Sequence, residues 1–540
     1  MVLGRVSRRA LLVGGWSVLG VPVLAACLGR ESKEKKGGGS AASGGAGSGS
    51  AGASASASGS AGASGGSGQG VTRTVSTVGA TLKVTVGPAV VSNDVMVVPL
   101  AVHLDKAGSS SPSSSGFGLD LVWNGTDRYT GADGVRLVDF DAGTVQETFK
   151  ASSESTLLMD KEPDVTLHAL FKPVDASTIN VLVPESGLFE GVPVVRDGKL
   201  SEDAKKALED VYDTESSPDP VALETFTASV DGASDTRVTG KSVTITLASD
   251  VLFDSDSADL SAQADTTLKK AADQLSTYPG GQVTIVGHTD DVADDAHNQD
   301  LSQRRAQAVS DRLGQLASMS AYSVSVSGKG ESEPRVPNDS DGNRQLNRRV
   351  EITLVPSEST STKSDAGKDS GKSGGDLPKA EGPVAKGSEG VTVKRGGGDD
   401  KLTFVLKEVT RRGKYLVGEV KATGGPGGTK TGPAPWLQPT QLDGSARGEE
   451  DGKLLSAVTG LSLLTAQTRY YPVDYTTAQG AHHPLSEITA DSPLAEGDVT
   501  TLTVVWPDTG QDTVTLDLEP SKRPTRPNNP FRLTDIPIKG

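Results

Sequence analysis

The stretch from residue 281 to 316 reads GQVTIVGHTDDVADDAHNQDLSQRRAQAVSDRLGQL. Its first part is rich in β-branched residues and predicts a strand that ends near Gly287. Its last part predicts an α-helix, because four apolar residues recur at helical spacing and form one face: Ala306, Val309, Leu313 and Leu316. The stretch therefore predicts a strand, an acidic loop and an amphipathic helix.

The neighbouring segments complete a domain. SVTITL (242–247) predicts a strand, and ADTTLKKAADQLSTY (264–278) predicts a second amphipathic helix. YSVSVSG (322–328) and RRVEITLV (348–355) predict two further strands. The order β-α-β-α-β-β with short loops indicates a compact α+β domain at 241–356, with its helices packed on one sheet.

Two opposite charges meet in this domain. Asp290 ends the predicted strand, and Arg305 lies on the following helix, on one stripe with Asn298 and Leu301 at i, i+3 and i+7. A free amino-acid centre carries an ammonium and a carboxylate, so Asp290 could accept hydrogen bonds from the first while Arg305 pairs with the second. A structural Asp–Arg salt bridge explains the same spacing, and the pattern alone leaves both interpretations open.

The flanking segments 71–240 and 391–540 are predicted to be β-rich. TLKVTVGPAVVSNDVMVVPLAVHL (81–104) and KLTFVLKEVTRRGKYLVGEVKATG (401–424) each give short strands separated by turn residues. Their similarity predicts a weak duplication of an immunoglobulin-like sandwich, with generic β patterning as the alternative. The His482-His483 pair in GAHHPL (480–485) is predicted to lie in a solvated turn.

The N-terminus predicts export and lipidation. Basic residues, an apolar run and the sequence LAAC at 24–27 resemble a bacterial lipoprotein signal, with a signal peptide at 1–26 and lipidated Cys27. A transmembrane anchor is the alternative, but the apolar run at 10–26 is short for a span of about 30 Å. Two acyl chains suffice for stable anchoring to a membrane.

Two stretches are predicted to be disordered. The segment 27–70 is a tether, since every residue of 37–70 except Gln69 is Gly, Ala or Ser. The segment 357–390 is predicted to be a linker, because it has no aromatic residue and alternates Lys with acids. Such compositions bury too little apolar surface to offset conformational entropy.

Composition limits the function. The formal net charge of −16 argues against a nucleic-acid partner, because phosphate binding needs clustered Lys and Arg. The single cysteine excludes an intrachain disulfide. His288, His297 and Asp290 match no usual metal-site spacing, and no cofactor motif, nucleophile motif or catalytic carboxylate pair stands out. We therefore expect no metal, no cofactor and no enzymatic activity.

The central segment resembles the C-terminal domain of outer membrane protein A and its relatives, including peptidoglycan-associated lipoprotein and motor protein B. The resemblance rests on GHTD (287–290), Asn298, LSQRRAQAV (301–309) and NRQLNRRVEI (343–352), with VLFDSDSADL (251–260) upstream. It covers the whole of 241–356 and neither flank. It implies noncovalent binding of peptidoglycan through the diaminopimelate of the stem peptide.

The resemblance also implies roles for single residues. Asp290 would contact the ammonium of diaminopimelate, and Arg305 would hold its carboxylate. Further pocket residues would be, by the same likeness, Thr289, Asn298, Leu301, Asp256 and, as a minor candidate, Arg348. One departure affects the loop: Ala293 stands where relatives often have glycine, and DVADDAH (291–297) adds three acids. This departure leaves the loop shape and the preferred stereoisomer open.

Together these features predict a lipoprotein in the cell envelope, anchored at Cys27 to the outer face of the cell membrane or to an outer membrane. It would face the cell wall and link membrane to peptidoglycan. Two alternatives remain from the sequence: a wall-targeted hydrolase whose catalytic site lies in a flank, and an adaptor whose β-rich flanks bind an envelope protein.

Overall fold

A computed structural model describes most of the chain after residue 68. The residues described are 69–108, 132, 134–149, 163–196, 198–209, 219–357, 376–394, 399–437, 457–478, 480–486, 492–520 and 529–540. The predicted signal peptide, Cys27 and nearly all of the tether lie outside these residues. Among the helices of the described part, none is long and apolar enough to cross a membrane.

The first segment consists mainly of strands, with one short helix. Its strands are β1 Val71–Thr77, β2 Ala80–Val86, β3 Ala89–Ser92, β4 Val95–Lys106, β5 Arg136–Asp139, β6 Thr144–Gln146, β7 Asp164–Phe171, β8 Thr178–Val183, β9 Gly187–Arg196, β10 Val221–Ser229 and β11 Ser234–Val238. Helix α1, Glu202–Glu209, lies between β9 and β10. Ser201 caps this helix, since its Oγ accepts a hydrogen bond from the Ala204 amide at 3.1 Å.

The central segment alternates strands and helices. Its elements are β12 Val243–Ala248, α2 Ser249–Leu252, α3 Ala264–Leu275, β13 Gly281–His288, α4 Asp295–Leu316, β14 Tyr322–Gly328, α5 Asp341–Asn347 and β15 Arg349–Pro356. The strands lie in the order β14–β13–β15–β12, with β13 and β14 parallel and the other pairs antiparallel. The short helices α2 and α5 were not predicted.

Helices α3 and α4 bury their apolar faces in the core of the central segment. Ala306, Val309 and Leu313 of α4 are fully buried, as predicted, and Leu316 packs at the edge of the same cluster. Helix α4 also lies very close to the sheet: a Cβ on Gly287 would come within 2.2 Å of the Ser302 carbonyl oxygen. The glycine at the end of β13 thus brings the acidic loop against the helix.

The third segment is again β-rich. Its strands are β16 Val384–Lys386, β17 Val391–Lys394, β18 Lys401–Val405, β19 Val409–Arg412, β20 Tyr415–Gly424, β21 Ser462–Leu464, β22 Thr468–Tyr470, β23 Asp474–Thr476, β24 His482–Pro484, β25 Val499–Pro507, β26 Thr513–Leu518 and β27 Phe531–Lys539, with a 3-10 turn at Ala434–Trp436. The prediction that both flanks are β-rich is confirmed.

The strand pairing runs across the predicted domain boundaries. Strand β12 pairs with β11, β11 with β10, and β10 with β22 of the third segment. The sheet continues through β21 and β26 to β27. The boundary expected at 240/241 therefore falls between two paired strands of one sheet, and the immunoglobulin-like character of either flank stays a prediction.

The two flanks also share a hydrophobic core. Apolar residues of the first segment, among them Val138 and Leu188, cluster with Tyr415, Tyr475 and Val505 of the third. Each set would face water without the other, so burial of the shared cluster holds the flanks together. The described residues from 69 to 540 accordingly belong to one compact unit.

Two sequence predictions are wrong here. Residues 376–390 were predicted to be disordered linker, yet β16 pairs in parallel with β27, and Arg532 donates a hydrogen bond to the Pro378 carbonyl at 2.6 Å. His482 and His483 were predicted to be solvated, yet they lie on β24 and are buried where it pairs with β23. Composition cannot reveal backbone pairing with a distant strand.

The shared core predicts the effect of Tyr475→Phe. The Tyr475 hydroxyl accepts a hydrogen bond from Arg136 Nε at 2.9 Å and donates to Glu147 Oε1 at 3.0 Å. Phenylalanine keeps the packing but removes a partner of the buried Arg136, which costs about 1–3 kcal/mol. We expect a lower urea midpoint with an unchanged slope. An unchanged midpoint would show that this contact between the flanks adds no stability.

Candidate functional site

Asp290 lies in a cluster of two carboxylates and one guanidinium. It follows the end of β13, and its Oδ2 accepts a hydrogen bond from Arg348 Nη1 at 2.6 Å. Arg348 follows α5 and also donates to both carboxylate oxygens of Asp250, at 2.8 and 2.6 Å. The hydrogen bonds from Arg348 to Asp250, and those to Asp290, raise the pKa of Arg348, so it stays charged. The cluster thus carries one net negative charge.

Arg305 lies on α4 and is held by neutral groups. Its Nε donates to the Ser257 carbonyl at 2.8 Å, and Nη2 lies 3.4 Å from the Asp254 carbonyl. Its guanidinium carbon lies 5.2 Å from the centre of the Phe253 ring, within cation–π range. Arg305 forms no ion pair with any described carboxylate, although it is only 5% exposed. Burial lowers the pKa of Arg305, which reflects a cation taken out of water without a direct counter-ion.

The acidic cluster and Arg305 belong to one site. The charges that act on Arg305 come from Asp250, Asp256 and Asp290, which favour its protonated form, and from Arg348, which opposes it. The direct Asp290–Arg305 salt bridge, one of the two interpretations that the sequence pattern left open, is absent from the described structure, since Arg348 takes the place of Arg305 beside Asp290. Asp290 therefore belongs to a structural Asp–Arg bridge, but its partner is Arg348.

Asn298 fixes the loop that carries Asp290. Its side-chain nitrogen lies 2.6 Å from Glu331 Oε2 and 3.2 Å from the carbonyl oxygens of both Asp290 and Ala293. Asn298 is 2% exposed, so these contacts hold the loop against α4 from inside. It acts in this structure as a support for the loop. Glu331 was not predicted.

Two of the three extra acids of the loop also have structural partners. Asp294 caps α4, with Oδ1 accepting from the His297 amide at 3.0 Å. Asp291 pairs with Arg344 of α5 at 2.9 Å. Asp256, a predicted pocket residue, contacts His297 Nε2 at 2.6 Å and so joins the segment before α3 to the start of α4. The loop is thus held at both sides without the glycine that Ala293 replaces.

Thr289 and Leu301 lie beneath the site and are buried. The Thr289 amide donates to the Gly330 carbonyl at 2.9 Å, while its hydroxyl has no hydrogen-bond partner among the described atoms. His288, the last residue of β13 and the neighbour of Thr289, is also buried. Burial, aided by the charge of Arg349, lowers the pKa of His288 to about 4, so it is neutral at pH 7. The described residues include no group of acids, histidines or cysteines arranged to hold a metal.

The sequence missed Asp250 and Phe253 as parts of the site. Asp250 follows β12, and Arg348 precedes β15; these strands pair with Ala248 opposite Arg349. The strand register therefore brings Asp250 and Arg348 together across 98 residues of chain. Phe253 lies in the upstream stretch that already resembled the family, but nothing in the pattern indicated its contact with Arg305.

An anionic cluster beside an uncompensated buried cation suits a ligand that carries both charges. Its ammonium would satisfy the cluster of Asp290, Arg348 and Asp250, and its carboxylate would pair with the free edge of Arg305. The class defined by this arrangement is an α+β domain with two carboxylates that share one guanidinium, and with a buried Arg305 that has no salt-bridge partner among the described residues.

Comparison with known proteins identifies that domain. The OmpA family model matches residues 252–348, so the chain carries an OmpA family domain there. Outer membrane porin F of Pseudomonas aeruginosa is 41% identical over 105 residues, which are 19% of this chain and 30% of the relative. The chain thus spans less than a third of that relative.

Two solved structures also match this part. The cell wall anchor of the T6SS from Pseudomonas aeruginosa is 32% identical. The match covers 88% of that chain and 23% of this one, with a TM-score of 0.21. The peptidoglycan-associated lipoprotein from Burkholderia pseudomallei is 26% identical. The match covers 87% of that chain and 21% of this one, with a TM-score of 0.17. The resemblance inferred from the sequence motifs is confirmed by the family match.

Proposed function

We propose that the protein binds peptidoglycan noncovalently by holding the diaminopimelate of the stem peptide in the site of Asp290 and Arg305. The observation that carries this proposal is the buried charge of Arg305, which has carbonyl and aromatic neighbours but no carboxylate within salt-bridge distance in the described structure. A bound carboxylate would supply the missing counter-ion. The similar structures support a cell-wall ligand in general, because one is named a cell wall anchor and another a peptidoglycan-associated lipoprotein.

The acidic half of the site supports recognition of an amino group. Arg348 is shared by Asp290 and Asp250, so the cluster retains one negative charge for an ammonium. Diaminopimelate has a free amino-acid centre at the end of its side chain, with both charged groups on one carbon. Both halves of the site are needed for such a ligand, which distinguishes it from a simple amine or a simple acid.

The wider role that we propose is a noncatalytic link between membrane and cell wall. The N-terminal sequence supports a lipid anchor at Cys27, and the composition of 27–70 supports a flexible spacer. In this role the protein sits in the cell envelope on the outer face of the membrane and faces the wall. The β-rich flanks form the body that carries the site.

The test is cosedimentation of the full-length protein, in detergent, with purified protein-free peptidoglycan. We expect it to pellet with a wall that contains diaminopimelate and to remain soluble with a wall that has lysine at that position. Lysine keeps the ammonium but lacks the second carboxylate, so Arg305 would have no partner. Free diaminopimelate should release the bound protein, and free lysine should not.

Three results would contradict the proposal. Equal pelleting with both walls would show that the carboxylate is not recognised. Release of muropeptide fragments from labelled wall during the incubation would instead favour the hydrolase that the sequence left open. Pelleting that free diaminopimelate cannot reverse would place the wall contact outside this site.

A further inference from the structure

A cavity lies where the central segment meets the third. Its volume is about 420 Å³, within the range of about 300–1,000 Å³ that small-molecule sites occupy. One wall comes from α5 and the Arg335 loop, and the other comes from residues 378–382. The floor is the sheet that continues from β12 through β11 and β10 to β22.

An alanine in a row of larger polar side chains creates the space. Ala228 on β10 lies directly opposite Asp235 of β11 on one side and Arg469 of β22 on the other. Residues directly opposite one another in a sheet point to the same face. The row therefore has an acid, a gap and a base side by side, and all three residues line the cavity.

The charges around this gap are already neutralised. Asp235 accepts two hydrogen bonds from Arg335, at 2.8 and 3.2 Å. Arg469 pairs with Asp517 at 2.9 Å and Glu519 at 3.0 Å, and Arg532 also donates to Asp517, at 2.7 Å. An ionic ligand would have to compete with one of these pairs, and breaking a buried pair leaves an uncompensated charge.

Hydroxyl groups suit this lining better than ions do. A hydroxyl can donate to a carboxylate lone pair and accept from a guanidinium N–H at the same time, without displacing either partner. Phe226, Tyr471 and Phe531 also line the cavity, but they are only 1–2% exposed, so they close its apolar floor.

We propose that this cavity binds an uncharged saccharide of one or two rings, with its hydroxyls between the charge pairs that flank Ala228. The site is separate from that of Asp290 and Arg305, although Arg348 borders both. The inference does not depend on peptidoglycan binding, because its ligand and its decisive residues differ from those of the proposed function.

The test is calorimetric titration of the purified full-length protein with two disaccharides, chitobiose and cellobiose, and with butyrate as a carboxylate that lacks hydroxyls. We expect saturable binding of at least one disaccharide and none of butyrate. If neither disaccharide binds, or if butyrate binds more tightly, the proposal is overturned.

Ala228→Phe locates the site. Phenylalanine is compatible with a strand and fills the gap without removing any charge, so disaccharide affinity should fall about tenfold or more. The matched control is Ala101→Phe, the same change at an exposed strand position outside the cavity, which should leave affinity unchanged. Circular dichroism and the thermal midpoint establish that both variants fold.

A second variant avoids any effect on folding. Gln345 is exposed on α5 at the rim of the cavity. Its replacement by alanine removes one hydrogen-bonding group and should lower disaccharide affinity about two- to threefold. If neither Ala228→Phe nor Gln345→Ala weakens disaccharide binding, the sugar binds elsewhere in the protein and the assignment is overturned.

Discussion

Arg305→Met should reduce the affinity for diaminopimelate-containing peptidoglycan about 100-fold or more, because the ligand carboxylate loses its partner in a desolvated site. Methionine retains an apolar stem of similar length against Phe253, so the fold should survive. The charge that is removed has no direct counter-ion among the described residues, so no buried carboxylate is left unpaired. Cosedimentation with increasing amounts of wall measures the change.

The matched control is the neighbouring residue. Arg304 lies one position earlier on α4, is half exposed and pairs with Asp300 at i,i+4. Such a surface pair contributes only about 0.3–0.5 kcal/mol, so Arg304→Met should bind the wall like the unmodified protein. If both variants bind equally well, the uncompensated charge of Arg305 is not a ligand contact, and the proposed function loses its main support.

Acid should destabilise the contact between the flanks through Glu224. This residue on β10 accepts hydrogen bonds from Arg237 Nη2 at 2.7 Å and from Thr476 of β23 at 2.9 Å. Its Oε2 also lies 3.5 Å from His482 Nε2. Burial alone would raise the pKa of Glu224, but the His482 imidazole and the Arg237 guanidinium outweigh it and lower the pKa to about 2.

The sign of the effect follows from the lowered pKa. A carboxyl whose pKa is lower in the folded state than its ordinary 4.5 adds stability above pH 4.5, and this contribution is lost as the pH falls from 4.5 towards 2. The full contribution is about 3 kcal/mol. Urea unfolding at a series of pH values should show this loss. The loss of stability involves residues of both flanks, so spectroscopic probes in the first or the third segment should both report it.

Glu224→Gln isolates the contribution. The amide cannot lose a charge, so the variant should be less stable at pH 7 and should vary less between pH 4.5 and 2. Glu202→Gln is the control, because Glu202 is an exposed acid on α1, and its variant should follow the unmodified curve. If Glu224→Gln and the control have the same pH dependence, acid acts elsewhere in the molecule.

The sequence predicted those parts of the site that follow from local spacing. The apolar face of α4 follows from the 3.6-residue period, and the motif resemblance placed Asp290 and Arg305 in one site. Arg348 was only a minor candidate, because its contacts with Asp250 and Asp290 depend on the register of β12, β13 and β15. Register between distant strands is set by tertiary packing, which no local pattern displays.

The same limit explains the errors in the flanks. The strand β16 is three residues long and lies in a stretch rich in Lys, Gly and Pro, so its own sequence gives no strand signal. It forms because β27 offers a pairing edge. His482 and His483 were misjudged because polar residues on a short segment resemble a turn, whereas their burial comes from strands of both flanks.

The pairing of β11 with β12 determines how this protein can be divided. A fragment cut at the family boundaries, 252–348, would lack β12 and β15 entirely, and one that begins at 241 would leave the outer edge of β12 bare. A bare strand edge is a template for self-association. A piece that retains Val221–Val238 covers β12 but bares β10, which pairs with β22 of the third segment, so such a cut moves the bare edge rather than removing it.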